Sequence, residues 1–98
     1  MDVTRNADRQ RFEVTVDGHT SVLTYRETGG HVTLIHTEVP PELRGRGIAD
    51  TLARAALDDA RRRSVQVRPL CPFVQAFMKR HPEYADLATS GTPAGGAR

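Results

Sequence analysis

Alternating polar and apolar residues predict two β-strands in the first third of the chain. From Arg11 to Asp17, every second residue is apolar, as in a strand with one buried side. The run from Thr20 to Arg26 alternates in the same way. Asp17-Gly18 lies between the two runs and is typical of a two-residue hairpin turn. We therefore expect an antiparallel hairpin here.

A third strand is predicted from His31 to Val39, after the turn residues Thr28-Gly29-Gly30. Two prolines, Pro40 and Pro41, end this strand because proline cannot donate a hydrogen bond to a neighbouring strand. Three strands joined by tight turns form an antiparallel meander.

Apolar residues then recur at helical spacing, which predicts a helix from about Gly47 to Arg63. Its buried stripe is expected to contain Ile48, Leu52, Ala55 and Ala56. Acidic and basic residues four positions apart are expected to pair on its exposed face. These pairs are Asp50–Arg54, Asp58–Arg62 and Asp59–Arg63. The triplet Arg61–Arg63 is interpreted as a solvated helix end.

Residues 65–70 alternate again, which predicts a fourth strand. The order strand, helix, strand favours a right-handed crossover, so the third and fourth strands should be parallel. Pro72 favours the start of a second helix. Its buried face is expected to hold Phe73, Val74, Phe77 and Met78, with a last docked turn at Tyr84 and Leu87.

These elements predict one domain over residues 1–98 with a mixed α+β (α/β/α) fold. It comprises a three-stranded antiparallel meander, a strand-helix-strand unit and a C-terminal helix. Residues 1–9 are polar and residues 89–98 are rich in small residues, so both ends are expected to be disordered. A chain of 98 residues is long enough for a single hydrophobic core.

Charge and composition exclude few functions by themselves. The formal net charge of +2 is too small to predict nucleic-acid binding. No apolar run is long enough to span a membrane, and the first residues do not resemble a signal peptide. Cys71 is the single cysteine, so no internal disulfide is expected. A cytoplasmic location is the expectation that follows.

The segment between the third strand and the long helix carries the main functional signal. Residues 38–49 read E-V-P-P-E-L-R-G-R-G-I-A. Gly45 and Gly47 permit close approach of a ligand to the backbone, and the unpaired N–H groups of the helix start attract anions. Arg44 and Arg46 add positive charge, so the expected guest is a phosphate or diphosphate. No lysine follows Gly47, so the P-loop pattern is absent.

The pattern Arg44-x-x-Gly47-x-Ala49 resembles the [Q/R]-x-x-G-x-[G/A] loop of the GNAT acetyltransferase superfamily, which holds the diphosphate of coenzyme A. The preceding H-T-E-V strand end, the two prolines and the later Leu-Cys-Pro-Phe segment are similar to the small Yjdj-type subgroup. The resemblance covers roughly residues 11–87. It implies a GNAT-like fold and transfer of an acetyl group from acetyl-CoA to an unidentified amine.

The resemblance also implies which residues contact acetyl-CoA or coenzyme A. They lie at the ends of the third and fourth strands and in the turn between strand and helix. The set consists of Val39, Arg44, Gly45, Arg46, Gly47, Ile48, Ala49 and Cys71.

Cys71 is the first candidate for chemistry. It precedes Pro72 and should cap the second helix, where the helix dipole and free N–H groups favour a thiolate. In the subgroup that the chain resembles, the matching cysteine is the proposed acetyl acceptor. The alternative interpretation is a small apolar side chain at a strand end.

His36 and Glu38 are the candidates for a general base. They alternate along the third strand and therefore share a face, near the expected ligand. Either could accept the proton of the incoming amine, directly or through water. The alternative is a hydrogen-bonded pair of polar surface residues. Many GNAT enzymes have a tyrosine near the position of Phe77, and phenylalanine cannot serve as that proton donor. No spacing of potential ligands suggests a metal site.

Three hypotheses follow. The first is a minimal N-acetyltransferase, acting on a small-molecule or protein amine, as a monomer or weak homodimer. The second is a non-catalytic acyl-CoA-binding or regulatory module, favoured because the elements that shape the acceptor pocket of larger GNAT proteins are not recognised here. The third is a nucleic-acid binder, which ranks last because aromatic residues are scarce. We therefore expect neither a nucleic-acid nor a membrane partner.

Overall fold

The computed structural model describes residues 2–88, which form one mixed sheet with helices. The strands are β1 (Thr4–Asn6), β2 (Arg11–Val16), β3 (His19–Thr28), β4 (His31–Glu38) and β5 (Gln66–Pro69). The α-helices are α1 (Ile48–Arg63) and α2 (Pro72–Arg80), and short 3-10 helices span Pro41–Leu43 and Pro82–Leu87.

The strands follow one another across the sheet in chain order. Neighbours are antiparallel up to β4, whereas β4 and β5 are parallel. This order confirms the α+β class, the meander and the crossover through α1. Between residues 2 and 88, no helix has the length and apolar character needed to cross a membrane.

β1 shows that the expectation of disorder over residues 1–9 was wrong for Thr4–Asn6, which pair with β2. Arg5 holds this edge strand in place. Its guanidinium donates a hydrogen bond to the hydroxyl of Tyr25 at 3.3 Å and lies 4.0 Å from the carboxylate of Glu27. The segment has no apolar alternation, so the pattern gave no signal for a strand. Residues 89–98, the other expected tail, lie outside the described residues.

The buried strand residues all lie on one face of the sheet. They are Phe12, Val14, Ser21, Leu23, Tyr25, Val32, Leu34 and Val67. α1 covers this face with Leu52, Ala56 and Leu57, and its alanines allow the helix to approach the strands closely. The opposite face carries mainly threonine and charged residues, at least partly exposed. In the described chain, the α-helices therefore pack against the buried face of the mixed sheet.

Among the acidic residues of α1, Asp59 pairs within the helix, whereas Asp50 and Asp58 bond to other elements. Asp59 pairs with Arg63 at 2.8 Å, as predicted. The other two predicted pairs do not form. Asp50 lies 3.3 Å from Arg80 of α2, and Asp58 accepts a hydrogen bond from the hydroxyl of Tyr84 at 2.7 Å. Burial, reinforced by that carboxylate, raises the pKa of Tyr84.

The arginine triplet at the end of α1 is part of the folded structure. Arg63 donates hydrogen bonds to both carboxylate oxygens of Glu27, at 2.8 and 3.0 Å. Arg61 binds both carboxylate oxygens of Asp86 at 3.0 and 2.9 Å, and Arg62 lies 3.1 Å from Asp59. All three arginines therefore have carboxylate partners, which reduces their availability for an external anion.

β4 contains one more residue than the facing part of β3. Thr24 pairs with His36 but Tyr25 pairs with Leu34, so Ile35 has no partner and the strand bulges. Side-chain directions therefore reverse beyond Ile35. Pairing between β4 and β5 ends at the same place, with Leu34 opposite Pro69. The two parallel strands separate from there on.

Candidate functional site

A cleft of about 630 Å³ opens where β4 leaves its partner strand and where both α-helices begin. Its walls comprise Thr20, His36, Thr37, Glu38, Val39, Pro40, Arg44, Ala49 and Phe73. A second cavity of about 230 Å³ shares part of this lining and extends to Gly45, Gly47 and Ile48. The site therefore lies at the carboxyl ends of the parallel strands, where sheets of this kind bind ligands.

The turn before α1 presents backbone donors to these cavities. Within the described chain, none of the N–H groups from Gly45 to Asp50 donates to a backbone carbonyl. Those of Ile48, Ala49 and Asp50 lie in the first turn of α1, which has no earlier turn of the same helix to supply acceptors. Gly45 and Gly47 have φ values of 84° and 75°, in the left-handed region that favours glycine. A β-carbon built on either glycine would meet no atom within 4 Å, so the space beside the turn is open. The turn thus has the free donors and the room that an anion requires.

The two arginines of this turn are placed differently. Arg44 lines both cavities, and its Nε donates a hydrogen bond to the carbonyl of Val39 at 3.2 Å. Arg46 lines neither cavity, and its Nη1 lies 2.9 Å from the carboxylate of Asp17 in the β2–β3 turn. The structure therefore brings Arg44 to the cleft, but it does not bring Arg46 there.

His36 and Glu38 lie together on the open side of β4 and line the cleft. Nε2 of His36 is 3.4 Å from Oε2 of Glu38, and the side chains are 62% and 69% exposed. The carboxylate can orient the imidazole, and the exposure leaves both groups accessible to a protonated substrate. No cluster of three or more potential metal ligands occurs between residues 2 and 88.

Cys71 caps α2, as predicted, but its side chain is buried with 3% exposure and lines neither cavity. Its Sγ lies 3.4 Å from Oγ1 of Thr37, which does line the cleft. The backbone N–H of Cys71 donates to the carbonyl of Leu34 at 3.0 Å, which fixes the start of α2 beside β4. The thiol is therefore behind the wall of the cleft and not in it.

Four cleft residues were not predicted as site residues, and one of them, Pro40, was expected only to end the third strand. Phe73 was expected in the buried face of α2, but it is half-buried and lines both cavities. Thr37 lies between His36 and Glu38, so its position at the same strand end was the available signal. Thr20 reaches the cleft from β3, and no motif in the sequence marks it.

Comparison with known proteins gives concordant results. A profile of the GCN5-related N-acetyl-transferase family matches residues 11–87. Protein NATD1 of Bos taurus is 40% identical over 77 residues, which are 76% of this chain and 68% of that protein. Protein NATD1 of Mus musculus is 37% identical over 83 residues, which are 82% of this chain and 76% of that protein.

A solved structure is similar over most of the chain. It is the NMR solution structure of a GCN5-like protein from Staphylococcus aureus, which superposes with a TM-score of 0.70. The match covers 91% of this chain and 88% of that one, at 22% sequence identity. At this level of identity the likeness establishes the fold.

Proposed function

This chain belongs to the GCN5-related N-acetyltransferase (GNAT) family, and on that premise we propose that it is an acetyl-CoA-dependent N-acetyltransferase. The acceptor is an amine, either of a small molecule or on a protein. The observation that carries the proposal is the row of N–H groups from Gly45 to Asp50, which have no backbone acceptor among residues 2–88 and lie beside open space. These donors and the dipole of α1 would hold the diphosphate of the coenzyme.

Other residues of the cleft extend this binding site. Arg44 would contribute positive charge, since it lines both cavities and, between residues 2 and 88, its guanidinium bonds to the carbonyl of Val39 and to no carboxylate. Val39, Ala49 and Phe73 supply an apolar surface between the turn and the gap that separates β4 from β5. When bound there, acetyl-CoA would supply a thioester whose carbonyl carbon accepts the amine nitrogen.

His36 and Glu38 would remove the proton from that amine. Both line the cleft, and their separation of 3.4 Å allows the carboxylate to orient the imidazole. A positioned base of this kind contributes about 10²- to 10⁴-fold to a rate. The carboxylate of Glu38 would also attract the positive charge of an amine before its deprotonation.

A covalent route through Cys71 is the less supported version of this proposal. Attack of the thiolate on the thioester carbonyl would form acetyl-Cys71 and release the coenzyme thiol, and the amine would then take the acetyl group and restore the thiol. This route needs the sulfur atom in contact with the cleft, whereas its side chain is 3% exposed behind Thr37. Direct attack by the amine requires no such movement.

The alternative function is a non-catalytic acyl-CoA-binding module. The open sheet face favours it, because no described element covers His36 and Glu38 to form a walled acceptor pocket. Such a module would bind the coenzyme through the same turn and would transfer nothing.

Two measurements separate these functions. Isothermal titration with coenzyme A and with acetyl-CoA tests binding, and release of free thiol in the presence of a panel of amines tests transfer. We expect binding of both coenzymes and amine-dependent thiol release. Binding without thiol release for any amine would support the non-catalytic module. Absence of heat and of any thermal shift with both coenzymes would contradict both functions.

A further inference from the structure

Asp17 and Arg46 connect the β2–β3 hairpin to the turn that precedes α1. Nη1 of Arg46 lies 2.9 Å from Oδ2 of Asp17, although the two residues are 29 positions apart. A second contact joins the hairpin to the segment before α1, since Nδ1 of His19 lies 3.9 Å from the carboxylate of Glu42. The hairpin therefore holds the segment that carries the unpaired N–H groups.

In the structure, Asp17 pairs with the guanidinium of Arg46, which is one of the two arginines of this turn. Arg46 stands between Gly45 and Gly47, whose N–H groups have no backbone acceptor among the described residues. A diphosphate bound by those N–H groups would bring two negative charges to the same few residues. Arginine is suited to planar, bidentate contact with phosphate. Asp17 and such a ligand would thus compete for one guanidinium.

The energy of the ion pair permits this exchange. The side chains of Arg46 and Asp17 are 49% and 67% exposed. Exposed pairs of this type contribute little to stability, because water screens the charges and both side chains lose freedom. A ligand with more than one negative charge can therefore displace Asp17 at small cost.

We propose that Arg46 leaves Asp17 to bind the diphosphate of the coenzyme, so that Asp17 is an affinity-determining residue of the site. This inference rests on the proposed function, because it assumes that coenzyme A binds at the turn. Asp17 lowers the affinity by as much as its pair with Arg46 is worth. It also keeps the arginine folded against the hairpin when no ligand is present.

The test uses Asp17→Asn, a substitution that suits the local backbone. Asp17 and Gly18 have φ values of 53° and 79°, and Asn-Gly is the preferred sequence for a two-residue turn of this kind. Asp8→Asn is the charge-matched control, since Asp8 is exposed in another turn. Arg46→Gln removes the partner, with Arg26→Gln as its control on an exposed position of β3.

Titration calorimetry with coenzyme A should then show coupling between the two residues. We expect Asp17→Asn to tighten binding by about two- to fivefold, the range that a pair of up to about 1 kcal/mol allows. Arg46→Gln should weaken binding several-fold, and Asp17→Asn should have no further effect in the Arg46→Gln background. The weakening by Arg46→Gln should persist with dephospho-coenzyme A, which keeps the diphosphate and lacks the 3′-phosphate.

Several results would overturn the inference while leaving coenzyme binding intact. One is an Asp17→Asn protein that binds no more tightly than the Asp8→Asn control. Another is a gain of the same size in the Arg46→Gln background, which would indicate a general effect of net charge. Weaker binding by Asp17→Asn would mean that the pair positions the turn for the ligand. Absence of coenzyme A binding by the unmodified chain would instead refute the proposed function, and this inference with it.

Discussion

Oγ1 of Thr37 and Sγ of Cys71 are 3.4 Å apart, and this contact joins the two parallel strands at the place where they separate. Thr37 belongs to β4 and lines the cleft, whereas Cys71 follows β5 and is buried. The hydroxyl therefore stands between the thiol and the cleft. The contact links the proposed site of chemistry to the start of α2, and it bears on which side chain reacts.

The role of Cys71 can be decided by substitution. We expect Cys71→Ala to change the rate of acetyl transfer by less than about threefold, because direct attack by the amine does not need the thiol. Thiol release is the measurement, with Cys71→Ser as a control of similar size. A loss of about 100-fold in both variants, together with an acetylated cysteine detected by mass spectrometry, would establish the covalent route.

The pair on the open side of β4 should control the pH dependence of the rate. A general base acts in its deprotonated form, so kcat/KM should fall in acid, where protons occupy the base. We expect substitution of the residue that acts as the base, by His36→Gln or Glu38→Gln, to lower kcat by about 10²-fold or more and to abolish this acid limb, whereas substitution of its partner should lower the rate and keep the limb.

His31→Gln is the control for this prediction. His31 lies at the other end of β4, where the only hydrogen bond of its ring among the described residues is with the carbonyl of Gly29. Its substitution should leave the pH profile unchanged. An unaltered acid limb in both variants of the pair would assign the base elsewhere.

Gly47 should be needed both for folding and for coenzyme binding. Its φ of 75° strains any other residue, so Gly47→Ala should destabilise the fold by about 1–2 kcal/mol. The added methyl group would also occupy the open space beside the unpaired N–H groups. We expect about tenfold weaker binding of coenzyme A, equivalent to about 1.4 kcal/mol.

Gly29→Ala separates these two effects. Gly29 has a φ of 55° and open space around it, but it lies in the β3–β4 turn. Its substitution should lower the melting temperature without changing the affinity for coenzyme A. An equal loss of affinity in both variants would show that strain alone, and not the position of Gly47, weakens binding.

The Glu27–Arg63 pair should make stability depend on pH in acid. Hydrogen bonds from Arg63 lower the pKa of Glu27 below its ordinary value of 4.5. A carboxyl with a lowered pKa in the folded state contributes its full stability above the unfolded value. That contribution is lost as the pH falls from 4.5 through the folded pKa.

We therefore expect Glu27→Gln to lower the free energy of unfolding by about 1–2 kcal/mol at pH 7. The difference from the unmodified protein should shrink towards zero as the pH falls well below 4.5. Urea unfolding at several pH values measures both quantities, and Asp8→Asn serves as the control at an exposed turn. A difference that stays constant with pH would mean that the charge of Glu27 is not what stabilises the fold.

Sequence pattern was sufficient for the parts of the fold that depend on local periodicity. The meander, α1, the parallel crossover and the capping position of Cys71 all follow from alternation, helical spacing and proline placement. The face shared by His36 and Glu38 follows from the same alternation. Each of these features is encoded within one element and its flanking turns.

Features set by tertiary contact were not predictable in this way. β1 has no apolar alternation and depends on Arg5, which reaches Tyr25 across the sheet. Asp58 has an arginine four residues later, yet it bonds to Tyr84 from the C-terminal 3-10 helix. The amphipathic stripe of α2 includes Phe73, but periodicity does not distinguish the middle of a core from the rim of a cleft. Such outcomes depend on distances between elements that a linear pattern does not contain.

Because Ile35 has no partner in β3, the side chains that follow it in β4 point to the faces opposite to those that strict alternation would give them. With strict alternation from Leu34, residues 36 and 38 would face the helices and residue 37 would face outward. The single inserted position exchanges these roles, so that the two candidate bases reach solvent while the threonine meets the thiol. Deleting Ile35 would therefore turn residues 36 and 38 towards the helices and residue 37 towards solvent, although every titratable side chain would remain in the sequence.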